Sequence, residues 1–344
     1  MKKFKTYIIW ALVAVVAITG TVLGIVLPKK NNDNLIRINE VTHSIFYAPF
    51  YAAINLGYFE EYDIEVELTN GNGSNNSMAA LVGGTADVIL AGPETAVYVA
   101  ASGKKDIPQI FGALTKKDGS FILSRAPIAT TPEGKFDLKS LEGKEILAGR
   151  VGGMPAMTLE YVIDKTEGVD KSKITIDKTI SFGDMASVFL GGRGDFATFF
   201  EPTASAILGE HPGEYFYATG IGELLGEEEV PYTAFITNES YLKKNGEKLT
   251  NFLKAVEKAL TFLKTASDEE IVASLAPSFV GTADEVIVSS VDRYLAIDAW
   301  YESPAMSETA FESLKAVLNH AGELPDPASV QYSKVVNNEL ANKI

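Results

Sequence analysis

Past residue 35 the chain alternates between short apolar strands and longer helical stretches. Ile36 and Ile38 alternate with polar residues and predict an opening strand over Ile36 to Val41; Ile64, Val66 and Leu68 predict a second. Between them Pro49 stands at a helix start, Phe50, Ala53 and Ile54 follow at helical spacing, and Gly57 supplies a stop. The stretch Asn70 to Asn76 is too polar and glycine-rich for anything but a loop, which puts Asn72 at the edge of a crevice.

The organising pattern runs from Val82 to Ala96 and returns, in the same plan, from Leu190 to Ala204. In each copy a glycine pair stops an apolar helix, an aspartate precedes a mainly apolar four-residue run, and Pro93-Glu94 or Glu201-Pro202 opens the next helix. Two α/β lobes of like build follow. Groups just beyond strand C-termini face the ligand crevice in such sheets, so Glu94 and Glu201 are expected to look into one cleft from opposite sides.

Gln109 to Leu114 and Phe121 to Ser124 read as strands that close the first lobe, and the Pro-, Thr-, Gly- and Lys-rich stretch Arg125 to Gly143 reads as the crossing into the second. That lobe opens with strand Glu145 to Ala148, a glycine-rich turn Gly149 to Pro155, and an amphipathic helix, Ala156 to Lys165. The turn has neither dinucleotide-fingerprint nor P-loop spacing. It is either a tight strand-to-helix connection or a place where the bare amides of Gly152 and Gly153 meet a ligand. Strand Pro231 to Thr237 reads as the return crossing, near Val230 to Thr233. The helices that follow, Glu247 to Lys264, Asp268 to Leu275, Ala283 to Ala296 and Ser307 to Ala321, are expected to pad the first lobe. The expected domains are 1–34 as anchor and tether, 35–127 plus 233–344 as lobe 1, and 128–232 as lobe 2.

Composition narrows the function. A net charge of −15 argues against nucleic acid and anionic membrane surfaces, and a 46% hydrophobic content fits globular domains. The absence of cysteine excludes disulfides, thiolate metal sites, thiol nucleophiles and lipid attachment through cysteine. Three widely separated histidines make no metal centre, so neither metal nor cofactor is expected. Lys2, Lys3 and Lys5 precede an uncharged run from Tyr7 to Leu27, as long as a bilayer-spanning helix. It reads as an uncleaved signal anchor that leaves the globular part on the extracytoplasmic face of the membrane, the alternative being a cleaved secretory signal and a secreted protein.

The runs Ser44-Ile-Phe-Tyr-Ala-Pro with Ala52 to Phe59, Ala79 to Asp87 with Gly92-Pro-Glu94, Gly152-Gly-Met-Pro155 and Phe200-Glu-Pro202 resemble the SsuA/THI5-like (NMT1) solute-binding proteins of ABC importers. The resemblance covers about Ile36 to Asn338. It implies an α/β, bilobal periplasmic-binding-protein fold of the second type, with two crossing strands and closure on a small molecule. It also implies ABC permease and ATPase subunits as partners and a monomer as the working form. The lipoprotein cysteine that many Gram-positive relatives use is missing.

The ligand is read from the expected cleft, where the candidate residues are Ser44, Phe46, Tyr47, Asn72, Glu94, Asp118, Gly152, Gly153, Met154, Phe182, Phe200, Glu201 and Tyr232. Carboxylates among aromatic rings favour a flat ligand with N–H donors or positive charge, such as a pyrimidine precursor of thiamine. Arg150, Arg193, Lys116 and Lys117 lie close by in sequence, and the alternative is an aliphatic sulfonate, taurine or nitrate held by cations and amides. One branch of the resembling family is enzymatic, making a pyrimidine with a lysine Schiff base, iron and donor histidines; this chain lacks the histidines for it, and an enzyme is not expected. A membrane-tethered sensor domain is a third reading.

Overall fold

The strands, in chain order, are β1 (Leu35–Glu40), β2 (Glu65–Asn70), β3 (Val88–Ala91), β4 (Gln109–Thr115), β5 (Phe121–Ser124), β6 (Glu145–Leu147), β7 (Thr175–Asp177), β8 (Phe196–Phe199), β9 (Phe216–Gly220) and β10 (Thr233–Thr237). They belong to a computed structural model that describes residues 33–104, 106–149 and 151–344. The anchor expected over Tyr7 to Leu27 and the residue Arg150 lie outside the described residues. Within them, no helix is long and apolar enough to cross a membrane.

Two five-stranded sheets form, in the orders β2-β1-β3-β10-β4 and β7-β6-β8-β5-β9. In the first, β1 runs parallel to β3, and β10 lies antiparallel between β3 and β4. In the second, β6 runs parallel to β7 and β8, and β5 lies antiparallel between β8 and β9. The fourth strand of each sheet is thus the first one laid down after the chain has crossed over. The two sheets make the α/β two-lobed fold that the duplicated plan implies.

The two copies of the plan occupy equivalent places, with β3 and β8 central in their sheets. Helices Ser74–Val82 and Phe182–Leu190 precede them, and helices Glu94–Ala101 and Thr203–Glu210 follow. The second glycine of each pair, Gly84 at φ +73 and Gly192 at φ +107, takes a backbone conformation that a side chain would strain, which is why the helices stop there. The repeated aspartate has one job in both lobes. Asp87 accepts the backbone N–H of Arg37 on β1 at 2.9 Å, and Asp195 accepts that of Glu145 on β6 at 3.0 Å. Each satisfies a donor at the start of the neighbouring parallel strand.

Two expectations need correction. Phe121 to Ser124 does not close the first lobe: β5 pairs on both sides within the second sheet, so the chain crosses at Lys116 to Ser120, ahead of Arg125. An apolar run that is buried on every side carries no mark of which sheet it joins. The return crossing lies where the sequence places it and runs beside the first. Val230 N–H donates to the Lys116 carbonyl at 2.9 Å and Tyr232 N–H to that of Thr115 at 3.0 Å.

The C-terminal helices also do more than pad the first sheet. Helix Gly246–Thr265 does pack there, with Phe252 stacked on Phe59 at 5.0 Å and edge-on to Phe235 at 4.9 Å. Helices Asp284–Ala296 and Glu308–His320 reach across to the second lobe. Arg293 pairs with Glu201 at 2.5 Å, and His320 Nε2 lies 2.9 Å from Asp164 Oδ2. Amphipathic spacing shows that a helix has an apolar face, not which neighbour covers it.

Candidate ligand site

The ends of β1 and β3, the start of helix Met154–Lys165, the start of helix Phe182–Leu190 and the crossings meet around one small cavity. Its lining comprises Val41, Thr42, Tyr47, Ser74, Gly92, Glu94, Gly153, Met154, Pro155, Phe182, Phe200, Tyr232 and Thr233, around about 40 Å³. One water needs roughly 10–15 Å³ on this measure, so the space holds a few waters or one polar edge of a larger solute.

Glu94 is the first residue of helix Glu94–Ala101 and is 2% exposed. Its carboxylate folds back over Gly92, where any side chain would collide with it. The helix N-terminus favours negative charge at this point. Tyr47 and Tyr232 are buried beside it. Burial, followed by the charges of Glu40 and Glu94, pushes the Tyr47 hydroxyl pKa up; burial, then Asp118 and Glu94, does the same for Tyr232. Both phenols therefore remain neutral donors and acceptors. Phe182 and Phe200 stand edge to face at 5.9 Å, and Phe200 lies 6.2 Å from Tyr232. Behind them Phe46 packs on Tyr47, Phe200 and Tyr232 at 5.6–5.8 Å and shapes the wall without reaching the cavity.

The candidates Tyr47, Glu94, Gly153, Met154, Phe182, Phe200 and Tyr232 come together here. The others do not line this cavity. Asn72 is exposed, in a left-handed turn at φ 51, and Ser74, two residues on, takes the lining position. Gly152 turns at φ +68, and its carbonyl accepts from Tyr98 OH at 3.3 Å. Ser44 Oγ donates to the Glu201 carbonyl at 2.7 Å.

Glu201, expected in the cleft as the partner of Glu94, has its carboxylate engaged elsewhere. It accepts from Ser205 N–H at 2.9 Å, Ser205 Oγ at 3.0 Å and Arg293 at 2.5 Å. It precedes the helix cap Pro202, so its carboxylate reaches forward to the helix's open amides. Glu201 instead borders a second space of about 220 Å³, with Thr42, His43, Ser44, Phe182 and Phe200 among its walls. The Phe182–Phe200 ring pair is common to both spaces.

Asp118 lies on the first crossing, fully buried, with Oδ1 accepting from Ser120 N–H at 2.8 Å and from Ser120 Oγ at 2.5 Å. Burial raises its pKa to about 7 in spite of those hydrogen bonds. The nearby cations point away. Lys116 pairs with Asp298 at 2.7 Å, Lys117 donates to the Gly226 carbonyl, and Arg193 pairs with Asp177. Among the described residues no Lys or Arg lines the cavity, and no cluster of His, Cys, Asp and Glu is placed to hold a metal ion. Sequence reasoning missed Val41, Thr42, Ser74, Gly92, Pro155 and Thr233. Gly92 and Pro155 stand in the quoted runs beside Glu94 and Met154; the other four carry no motif, and only their places next to strand ends and crossings would have found them.

The family model for NMT1/THI5-like proteins matches residues 45–270. YtlA of Bacillus subtilis (strain 168), named as a binding protein, is 36% identical over 314 residues, which cover 90% of this chain and 89% of YtlA. The alkanesulfonate-binding protein SsuA from Xanthomonas axonopodis pv. citri, bound to MOPS, has a similar structure, with a TM-score of 0.68, 17% identity and coverage of 88% of this chain and 98% of that one. So does the ligand-binding component of an ABC-type import system from Staphylococcus aureus with zinc bound, with a TM-score of 0.68, 12% identity and coverage of 90% and 98%. At such identities the two structures speak for the fold alone.

Proposed function

The chain belongs to the NMT1/THI5-like family, and from that premise we propose that it is the solute-binding component of an ABC import system. It is a binding protein and not an enzyme. The lobes close on one small solute, which is handed to a permease and its ATPase at the extracytoplasmic face of the membrane. In this reading the segment Tyr7 to Leu27 tethers a monomer there.

The observation that carries the proposal is the convergence of buried Glu94, Tyr47 and Tyr232, half-buried Phe200 and the start of helix Met154–Lys165 on one cavity. A carboxylate walled by aromatic rings, with no described cation in the lining, favours a flat solute that offers N–H donors, of the amino-heterocycle class. A sulfonate is the second reading. It is favoured by the helix start at Gly153, Met154 and Pro155, whose dipole attracts an anion, and by the alkanesulfonate bound by the similar SsuA.

Mass spectrometry of small molecules released from the denatured protein tests the choice. A nitrogen heterocycle supports the first reading and a sulfonate transfers the case to the second. Absence of any bound mass, together with no thermal shift from either class, would overturn both.

A further inference from the structure

The cavity beside Glu94 is too small to hold a whole solute. Its volume of about 40 Å³ takes one polar edge, so the remainder of a larger molecule lies in a space that adjoins it. The space of about 220 Å³ is so placed. It shares Thr42, Phe182 and Phe200 with the cavity, and it takes Thr42, His43 and Ser44 from the first lobe and its other walls from the second. A molecule that extends past the Phe182–Phe200 ring pair therefore stays between the lobes.

The walls of the larger space set the chemistry of what fills it. Its buried polar residues are already paired: Ser44 Oγ donates to the Glu201 carbonyl at 2.7 Å, Thr198 Oγ1 to that of Leu147 at 3.4 Å, and the Glu201 carboxylate holds Ser205 and Arg293. His43 is engaged too. Its Nδ1 lies 3.0 Å from Glu40 Oε1 and its Nε2 2.8 Å from the Ser278 carbonyl. Phe182, Met185, Ala186, Phe199 and Phe200 supply apolar surface, and the hydroxyls left over are those of half-buried Thr42 and exposed Thr203. A polar substituent would give up hydrogen bonds to water for few new ones, whereas a hydrocarbon substituent gains from leaving water.

We infer that the larger space is a compartment for an apolar arm, so that the solute has two parts: a hydrogen-bonding head beside Glu94 and an alkyl or aryl arm against Phe182, Phe200, Met185 and Ala186. This rests on the reading of the cleft as a solute site and extends it from the head to the size and shape of the whole molecule. It holds for either head. The arm lies beyond the rings that wall the cavity, and its contacts do not depend on which polar group meets Glu94 or the start of helix Met154–Lys165.

Calorimetry with two pairs of probes tests it: 4-aminopyrimidine against 5-butyl-4-aminopyrimidine, and methanesulfonate against butanesulfonate. In whichever pair binds, wild type should hold the butyl member at least about tenfold more tightly, since each buried methylene is worth about three- to fourfold in affinity. Ala186→Phe and Thr203→Phe add bulk to the space from two different helices. Each should bring the ratio of butyl to short affinity down to within about threefold, the worth of a single methylene, and the second variant serves if the first does not fold. Glu94→Gln should weaken both aminopyrimidines alike and leave their ratio as it is. If the butyl and short members bind wild type equally, or if the ratio survives both phenylalanine variants, the arm compartment falls and the reading of the cleft stands. If wild type binds none of the four probes, the inference and the reading of the cleft as a solute site fall together.

Discussion

Arg293 Nη1 lies 2.5 Å from Glu201 Oε1, and the carboxylate is fully buried while the guanidinium is 29% exposed. A residue from the C-terminal helix Asp284–Ala296 thus neutralises an acid at the end of the second sheet, and Tyr294 OH beside it accepts the Glu201 N–H at 3.0 Å. Removing one member of a buried pair strands the other, at about 3–5 kcal/mol when both are buried and less when one partner reaches water. Glu201→Gln is therefore expected to destabilise the protein by about 2 kcal/mol in urea unfolding, with ligand affinity changed less than about threefold. A large loss of affinity at unchanged stability would return Glu201 to the ligand site.

His43 is placed to make stability depend on pH. Its Nδ1 lies 3.0 Å from Glu40 Oε1, and its Nε2–H donates to the Ser278 carbonyl at 2.8 Å. The bond to Glu40 raises the imidazole pKa above its ordinary value. For a raised base, the stabilisation is complete below the unfolded pKa of about 6.5 and is lost as pH rises through the folded value. The melting temperature of wild type should therefore fall relative to His43→Gln as pH goes from about 6.5 to 8.5. Parallel curves would show that the pair is not felt.

Asp118 has a raised acid pKa, which gives it a different window. Its carboxyl, pushed up to about 7 by burial, favours the fold fully below the unfolded value of about 4 and loses that contribution as pH climbs through 7. Without ligand, Asp118→Asn should melt at least about 2 °C above wild type at pH 8 and show no advantage at pH 4. Equal melting temperatures at pH 8 would mean that the buried charge is compensated.

Phe182 lines both the space of about 40 Å³ and that of about 220 Å³, together with Thr42 and Phe200. Phe182→Ala is expected to join them and to open a second route out of the ligand site. Stopped-flow dissociation should be at least about tenfold faster, since changes at one binding surface act mostly on the off-rate. An unchanged off-rate would leave lobe opening as the sole exit.

Much of this was legible because it is local or repeated. The glycine pairs, Asp87 and Asp195, and the strands after them follow from short-range turn and strand chemistry, and the repeat placed Glu94 next to the cavity. What failed was the choice of partner at long range. Phe121 to Ser124 reads as a strand in either lobe, and only pairing with β8 and β9 settles which. Glu201 matches Glu94 in sequence, yet it stands one residue before a cap instead of inside the helix and meets an arginine 92 positions away.

The most direct test of Glu94 as the acid that holds the solute is calorimetric titration of the solute identified by mass spectrometry into wild type and Glu94→Gln. The expected result is one site per chain and affinity lowered about ten- to a hundredfold in the variant. That corresponds to loss of a charge-assisted hydrogen bond of about 1.5–3 kcal/mol, with the unliganded melting temperature within about 2 °C of wild type. Affinities equal within about twofold would contradict it, leaving Glu94 as no more than an acid at the start of its helix.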